Sequence, residues 1–558
     1  MQKKNLLLLS ATSLLMLTSC SKLGELSADN FKVVPNPLES QAGQVPATIN
    51  GMFPEKYMKK KAVVTVTPEL RYANGKVSRG NSATFQGEKV EGNDQTISYK
   101  VGGNYTMKTN FQYVPEMQKS EMYITFNARI GKKEVEVPAV KVANGVISTS
   151  ELYKNTVKGA QACVAQDAFQ RITEQKQDAN IKFLIQQANL RKSELKNNSV
   201  QEFIALLNRI NEDKEGLNIN NVEVSAYASP DGGVKLNDKL ANTRQKNTEA
   251  YVKQQMKNTK TDAPIDAKYT AQDWEGFQEL VSASNIQDKD VILRVLSMYK
   301  DPEEREQQIK NLSAGFRELA DGILPELRRA RLTINYEVIG RDDEQIMTQI
   351  KEDATKLTVE ELLYAATLTD NAAEKEAIYK KTTEVYPNDY RAYNNIAALE
   401  YAKGNNREAQ NYIKKAQSVN KTCPEANANL GLIALQSGDT KTAEQYIANA
   451  ANAYGLNEAL GNLHLAQGKY ALAEQDFNKV NSNSAALAQI MNKNYAAAEK
   501  TLHNVKNADG MTEYLKAILY ARQNNQSAAS SALKKALSMD PSLANYAAND
   551  LELAGIRK

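Results

Sequence analysis

Gly404-Asn-Asn-Arg-Glu-Ala409 returns as Gly438-Asp-Thr-Lys-Thr-Ala443, 34 residues further on, and this pair decides how the C-terminal part of the chain is read. Ala416 returns at the same shift as Ala450, and Ile396-Ala397 as Leu430-Gly431. A third copy follows at a shorter shift, with Leu460-Gly461, Gly468, Ala473 and Phe477. A degenerate copy carries Tyr495, Ala498 and Leu502, and a last one Ala529, Leu533, Ala536 and Pro541. Upstream, Leu362 to Pro387 fits a further copy. Small residues at fixed places let paired helices approach, and large ones fill the space between them. One such unit cannot bury its apolar face alone, so residues 355–558 are expected to stack about six helical hairpins into a curved solenoid with a groove. Residues 542–558 are expected to cap it.

This period resembles the tetratricopeptide repeat. The resemblance implies an all-α array that binds peptides or other proteins, with polar groove residues setting orientation. Asn395, Asn429, Lys403 and Arg407 are the candidates, from first-helix or turn positions. The competing reading of each is plain solvated surface. His464 falls on a first helix and His503 on a second, where packing or exposure is the expected role.

The zone 160–340 alternates strands with helices. Ile181-Lys-Phe183-Leu184-Ile185 and Val222-Glu-Val224-Ser-Ala226-Tyr227 read as strands. Val200, Phe203, Ile204, Leu207 and Ile210 share one helical face, and a polar helix follows from about 235 to 257. Between the second strand and that helix lies the turn Ser229-Pro230-Asp231-Gly232-Gly233.

These residues resemble the OmpA-like, peptidoglycan-binding domain, in its Bacteroidetes variant. The resemblance rests on Asn180 to Leu190, on Tyr227 to Arg244 and on Asn237-Asp-Lys-Leu240-Ala241-Asn-Thr-Arg244. It extends through Asp273-Trp274-Glu275-Gly276, Asp301-Pro302-Glu303-Glu304-Arg305 and Leu324-Pro325-Glu326-Leu327-Arg328-Arg329-Ala330. It implies an α+β domain with a helical insert at about 259–330, ahead of a last strand at Arg331–Tyr336. It also implies a site for the diaminopimelate of a stem peptide, an arginine taking the carboxylate and an aspartate the ammonium. Arg244 lands on the family arginine. The family aspartate's place holds Ser229, with Asp231 two residues later, and Ala241 replaces the usual serine. The implied peptidoglycan contacts are therefore Arg244, Asp231, Ser229 and Asn237. An ordinary surface or interdomain ion pair for Arg244, and a turn role for Asp231, compete with that reading.

Residues 45–150 carry period-two stretches such as Met122-Tyr-Ile124-Thr-Phe126-Asn-Ala128-Arg-Ile130, punctuated by Asn74-Gly75, Gly102-Gly103 and Gly131. About seven short strands suggest a β-sandwich. A membrane β-barrel competes, but many outward positions are charged or Thr. Residues 20–44 read as a tether broken by Pro35-Asn36-Pro37. Residues 1–19 have a secretion-signal layout: Lys3 and Lys4, an apolar run from Leu6 to Leu17, then Leu17-Thr18-Ser19-Cys20. Leu-Thr-Ser-Cys resembles a bacterial lipobox, which implies lipidation of Cys20 and a membrane anchor. By resemblance to lipoprotein sorting rules, Ser21 and the lone Glu25 favour the outer membrane and its periplasmic face.

The chain has 558 residues, 70 Lys+Arg against 66 Asp+Glu, and two histidines. Balanced charge argues against a nucleic-acid binder held by phosphates. Scarce histidine, and no phosphate loop or metal-ligand spacing, argue against enzyme, metal and cofactor chemistry; no cofactor is expected. Cys163 and Cys423 read as free, buried thiols, and an enzyme using Cys163 lacks a nearby base. Two readings of function follow. One is a non-enzymatic, lipid-anchored, periplasm-facing scaffold that contacts peptidoglycan and recruits proteins on its repeats. The other is an assembly factor for an outer-membrane, fimbrial or secretion machine whose OmpA-like domain no longer binds the wall.

Overall fold

The computed structural model describes residues 22–286, 289–311 and 317–556. The leader and Cys20 lie outside the described residues. The chain forms two compact units. One joins the residues up to Asp167 with those from Thr358 onward; the other is Ala168–Leu357. The sheet-rich N-terminal part and the helical array, expected as separate domains, thus belong to one unit.

In that unit, the N-terminal part is built from two sheets around one apolar core. The smaller sheet has the order Phe31–Val34, Gln44–Phe53, Gly103–Gln112. The larger is centred on Ala62–Tyr72, which runs antiparallel to Ser120–Ile130 along its whole length. Alternation decides which side faces in: Val45, Ala47 and Ile49 are buried from one sheet, Val64, Val66, Met122 and Ile124 from the other. Gly51 has a packing reason, since a Cβ there would sit 2.1 Å from the Tyr105 ring.

Residues 20–44 were expected to be a tether. The structure corrects this from residue 22 on. Leu23, Leu26, Phe31, Val33 and Leu38 are buried in the same core, and Phe31–Val34 pairs with Gln44–Phe53. Pro35 and Pro37 stop a helix, but they do not prevent a short strand before them or a buried leucine after them.

The array from Val359 stacks antiparallel helices in pairs. Five of the turns between partners use one left-handed residue. Gly404, Gly438 and Gly468 supply it at φ +80, +81 and +72°, and Lys493 and Asn524 take the same place at +62 and +60° in the degenerate copies. Asp439, Asn494 and Asn525 then cap the second helices. Gly431 and Gly461 mark where partners touch: a Cβ would lie 2.5 Å from Ile447 and 2.7 Å from Phe477.

The central unit is a four-stranded sheet in the order Ile172–Lys182, Arg329–Ile339, Leu217–Tyr227, Ile265–Thr270. The last two strands are parallel and the other pairs antiparallel. Helices Asn198–Glu212 and Val234–Asn258 contribute Phe203, Leu207 and Val252 to its core. Two expectations are corrected here. The first strand ends at Lys182, leaving Leu184 and Ile185 exposed beyond it. The stretch 259–330 is not wholly helical, because Ile265–Thr270 joins the sheet as an exposed edge with no apolar run to announce it. The helices beyond it bury a small core of their own, including Phe277, Val281 and Ile292.

Leu38 separates a folded start from a tether. Leu38→Ala is expected to cost about 2–4 kcal/mol in chemical denaturation of the full chain, the range for emptying a fully buried leucine site. A tether residue would cost nothing.

Candidate peptide groove and central cleft

The first helices of the repeats line a groove, and the chain's own segment 148–167 lies along it. Short helical turns at Thr149–Leu152, Tyr153–Thr156 and Val157–Gly159 lead into an irregular stretch from Ala160. Leu152, Tyr153, Val157, Ala160, Ala162 and Cys163 share one apolar core with the repeats.

Two asparagines hold that stretch by its main chain. The Cys163 amide donates to Asn429 Oδ1 at 2.7 Å, and Asn429 Nδ2 donates to the Cys163 carbonyl at 2.9 Å. Two residues on, Ala165 makes the same pair of bonds with Asn395, at 2.8 and 3.0 Å. Asn394 Nδ2 adds a second donor to the Cys163 carbonyl at 3.0 Å, and its own oxygen accepts from Asn429. Arg391 Nη1 donates to the Asp167 carbonyl at 2.9 Å. In the other direction, the Gln161 main chain hydrogen-bonds the carboxylate of Glu458, whose acidity burial weakens. Residues 161, 163, 165 and 167 are thus all gripped from the repeat side, the period of an extended chain.

Asn394, Asn395 and Asn429 are almost fully buried, at 0, 2 and 1% exposure. A carboxamide presents one acceptor and one donor site side by side, matching the N–H and C=O of a single residue. Asn395 and Asn429 stand one 34-residue period apart on successive first helices, so they meet alternate residues of the segment. Further along, Tyr401 donates to the Val157 carbonyl, Ser484 Oγ to Thr156 Oγ1 at 3.0 Å, and Tyr546 to the Ser148 carbonyl at 3.1 Å.

The other two groove candidates sit elsewhere. Lys403 is paired with Glu376 and Glu400, and Arg407 is exposed at the start of the next helix. Sequence reading missed Asn394, Arg391, Tyr401 and Glu458, although the doublet Asn394-Asn395 was a signal for the first. It also missed the occupant. Its mark is the small, uncharged run Gly159-Ala-Gln-Ala-Cys-Val-Ala165 between Lys158 and Asp167. Burial pushes both the Cys163 and the Cys423 thiols up to about 12, so they stay protonated. His464 Nδ1 pairs with Asp476 at 2.6 Å, and His503 Nδ1 lies 2.7 Å from the Glu499 carbonyl oxygen.

The central unit has a cleft of about 560 Å³ lined by Phe183, Leu184, Arg191, Asp231, Arg328 and neighbours. Arg244 is fully buried behind it. Its guanidinium donates to the carbonyls of Gln187, Tyr227 and Leu184 at 3.0, 2.8 and 3.3 Å, and lies over the Phe183 ring. Burial, then the nearby Arg328, lowers its pKa to about 10. The fork expected to face a carboxylate therefore ties together two loops. Asp231 faces Arg328 Nη2 at 3.0 Å and also accepts from Ser229 Oγ. Asn237 Nδ2 donates to the carbonyls of Ser229 and Gly232, fixing the turn. Arg328 is the cation in the cleft that the sequence did not single out, although it lies in the segment Leu324–Ala330.

The tetratricopeptide-repeat family model matches residues 390–423 and 514–543. No curated protein matches the chain. Among solved structures, the chain is similar to a tetratricopeptide repeat protein from Parabacteroides merdae. Identity is 17%, covering 44% of this chain and 99% of that one, with a TM-score of 0.27. It is also similar to Pseudomonas aeruginosa PilF, at 16% identity over 37 and 96% of the two chains, TM-score 0.26. YrrB, described as a tetratricopeptide protein with an unusual peptide-binding site, matches at 20% identity over 37 and 99%, TM-score 0.21. The C-terminal region carries tetratricopeptide repeats, a module of protein–protein interaction. Among the described residues no helix is long and apolar enough to cross a membrane, and no cluster of three or more His, Cys, Asp or Glu could hold a metal ion.

Two outcomes are expected. Asn429→Ala removes both bonds to Cys163, worth about 2 kcal/mol together, and raises amide exchange of the 161–167 segment at least about tenfold by mass spectrometry. Arg244→Ala leaves three carbonyls unpaired, lowering the stability of the central unit by about 3 kcal/mol, read as an earlier melting transition.

Proposed function

We propose that the chain is a non-enzymatic scaffold of a bacterial outer membrane, lipid-anchored at Cys20 and facing the periplasm, whose repeats hold protein segments by their main chain. The observation that carries this is the double pairing of Asn395 and Asn429 with Ala165 and Cys163. It supports reading the repeats, a module of protein–protein interaction, as a peptide-gripping surface. Leu-Thr-Ser-Cys20 supports the anchor.

The resemblance of the central zone to OmpA-like domains supports a second contact, with peptidoglycan. In this chain the residues suited to a diaminopimelate zwitterion are Arg328 and Asp231, which face each other in an open cleft. A zwitterion inserting between them offers its carboxylate to the guanidinium and its ammonium to the aspartate, exchanging one ion pair for two. Arg244 then supports the cleft wall without touching the ligand. The rival reading, an assembly factor that has lost wall binding, draws on the same observation, since the family arginine is engaged internally.

Pelleting of the full chain with purified peptidoglycan decides between them. Wild-type pelleting that Arg328→Ala and Asp231→Ala each reduce at least about fivefold supports the wall-contacting scaffold; such a loss corresponds to about 1 kcal/mol per contact. A wild-type chain that stays in the supernatant leaves the assembly factor.

A further inference from the structure

We infer that the repeat groove is a site for an extended segment with small, uncharged side chains on its inward face, that residues 160–167 are its resident occupant, and that a partner protein's segment of the same chemistry enters by displacing them. This deepens the reading of the repeats as a peptide-gripping surface and rests on it.

Three observations carry it. First, the grip is on main chain. Asn429 and Asn395 address the N–H and C=O of Cys163 and Ala165, and Arg391 the carbonyl of Asp167. Every non-proline residue carries those groups, so an incoming strand remakes the same bonds one for one. Second, the side chains that the 160–167 stretch buries are small: Ala160, Ala162, Cys163 and Ala165, at 6, 8, 2 and 3% exposure, with Val164 partly buried beside them, each smaller than the leucine or phenylalanine that anchors a core. Gln161 and Gln166 point outward. The same smallness sets selectivity, because a charged or bulky inward residue has no room beside the buried asparagines. Third, the resident has an open flank. A cavity of about 650 Å³ lies beside Thr156, Lys158, Gly159, Ala160 and Gln161 and reaches Glu458 and Asn483 on the repeat side. An incoming segment can seat there before exchange begins. At the far end the chain leaves through Ala168 at φ +60°, a left-handed conformation that non-glycine residues rarely adopt.

The test uses the full chain with Cys20→Ser and Cys423→Ser, so that Cys163 is the sole thiol, since the chain has three cysteines. The probe is a fluorescent synthetic peptide of residues 156–168 bearing Cys163→Ser. The expected result is saturable binding and at least tenfold faster maleimide labelling of Cys163 once the peptide is in excess. A control peptide with Ala165→Glu does neither, and Asn395→Ala with Asn429→Ala in the chain abolishes binding. A second chain variant, Ala165→Glu, expels its own segment and is expected to bind the wild-type peptide more tightly. Binding to that variant without binding or faster labelling in the parent chain overturns exchange but leaves the peptide-gripping surface standing. Absence of binding to both, with the circular dichroism of the parent chain unchanged in the variant, overturns the groove as a peptide site altogether. If the Ala165→Glu chain fails to fold, the parent chain alone decides exchange. Conversion to a dimer by light scattering, with the segment donated by a second copy, also overturns a foreign partner as the occupant.

Discussion

A buried carboxamide that finds both halves of one residue's main chain is the constraint on which the rest of this molecule depends. Asn395 and Asn429 are inside the protein, where an unsatisfied amide costs about 1–3 kcal/mol. Each is satisfied by a strand that belongs to neither of its own helices. Without that segment Asn395 and Asn429 would lose their main-chain partners and keep only their bonds to Asn394. With it, the segment between the N-terminal sheets and the central unit is tied to the repeats at four alternate residues. The contiguity of the sheet-rich part and the repeats follows from this and from the apolar turns Leu152 to Val157 that precede it.

The arrangement changes what a repeat array does for its chain. A groove read as free to recruit is already occupied, so recruitment competes with an internal partner. Competition of that kind is weak where the resident is held by common groups and strong where it is held by particular side chains. The stretch 160–167 is of the first sort. The turns from 149 to 159, with Tyr153 and Val157 in the core, are of the second, and they keep the chain on the array while the stretch beyond them exchanges.

The central cleft shows the same accounting of polar groups. Arg244 is too deep to be left with open donors, so the loops after Lys182 and Tyr227 close over it with three carbonyls. Its cation still acts at a distance by repelling Arg328, and Asp231 answers that charge at 3.0 Å. Asp231 thus has a partner of its own, brought from the segment before the last strand. The charged pair in the cleft is a different pair from the one the family motif pointed to.

The 34-residue return of Gly404–Ala409 at Gly438–Ala443 determined the repeats without help from tertiary structure, because left-handed turns favour glycine and close helix contacts favour small residues at fixed intervals. Period-two alternation likewise announced the N-terminal strands, and the βαβα order announced the central sheet. Exposed edges were silent: Ile265–Thr270 buries almost nothing, and Phe31–Val34 is too short to show a period. What fills the groove, and whom Arg244 touches, was decided only on folding. A carboxamide or guanidinium in a sequence carries no record of which main chain will face it. For Asn395 that partner, Ala165, lies 230 residues away, and for Arg244 the carbonyls lie 17 to 60 residues away; only the folded chain brings them within hydrogen-bonding distance.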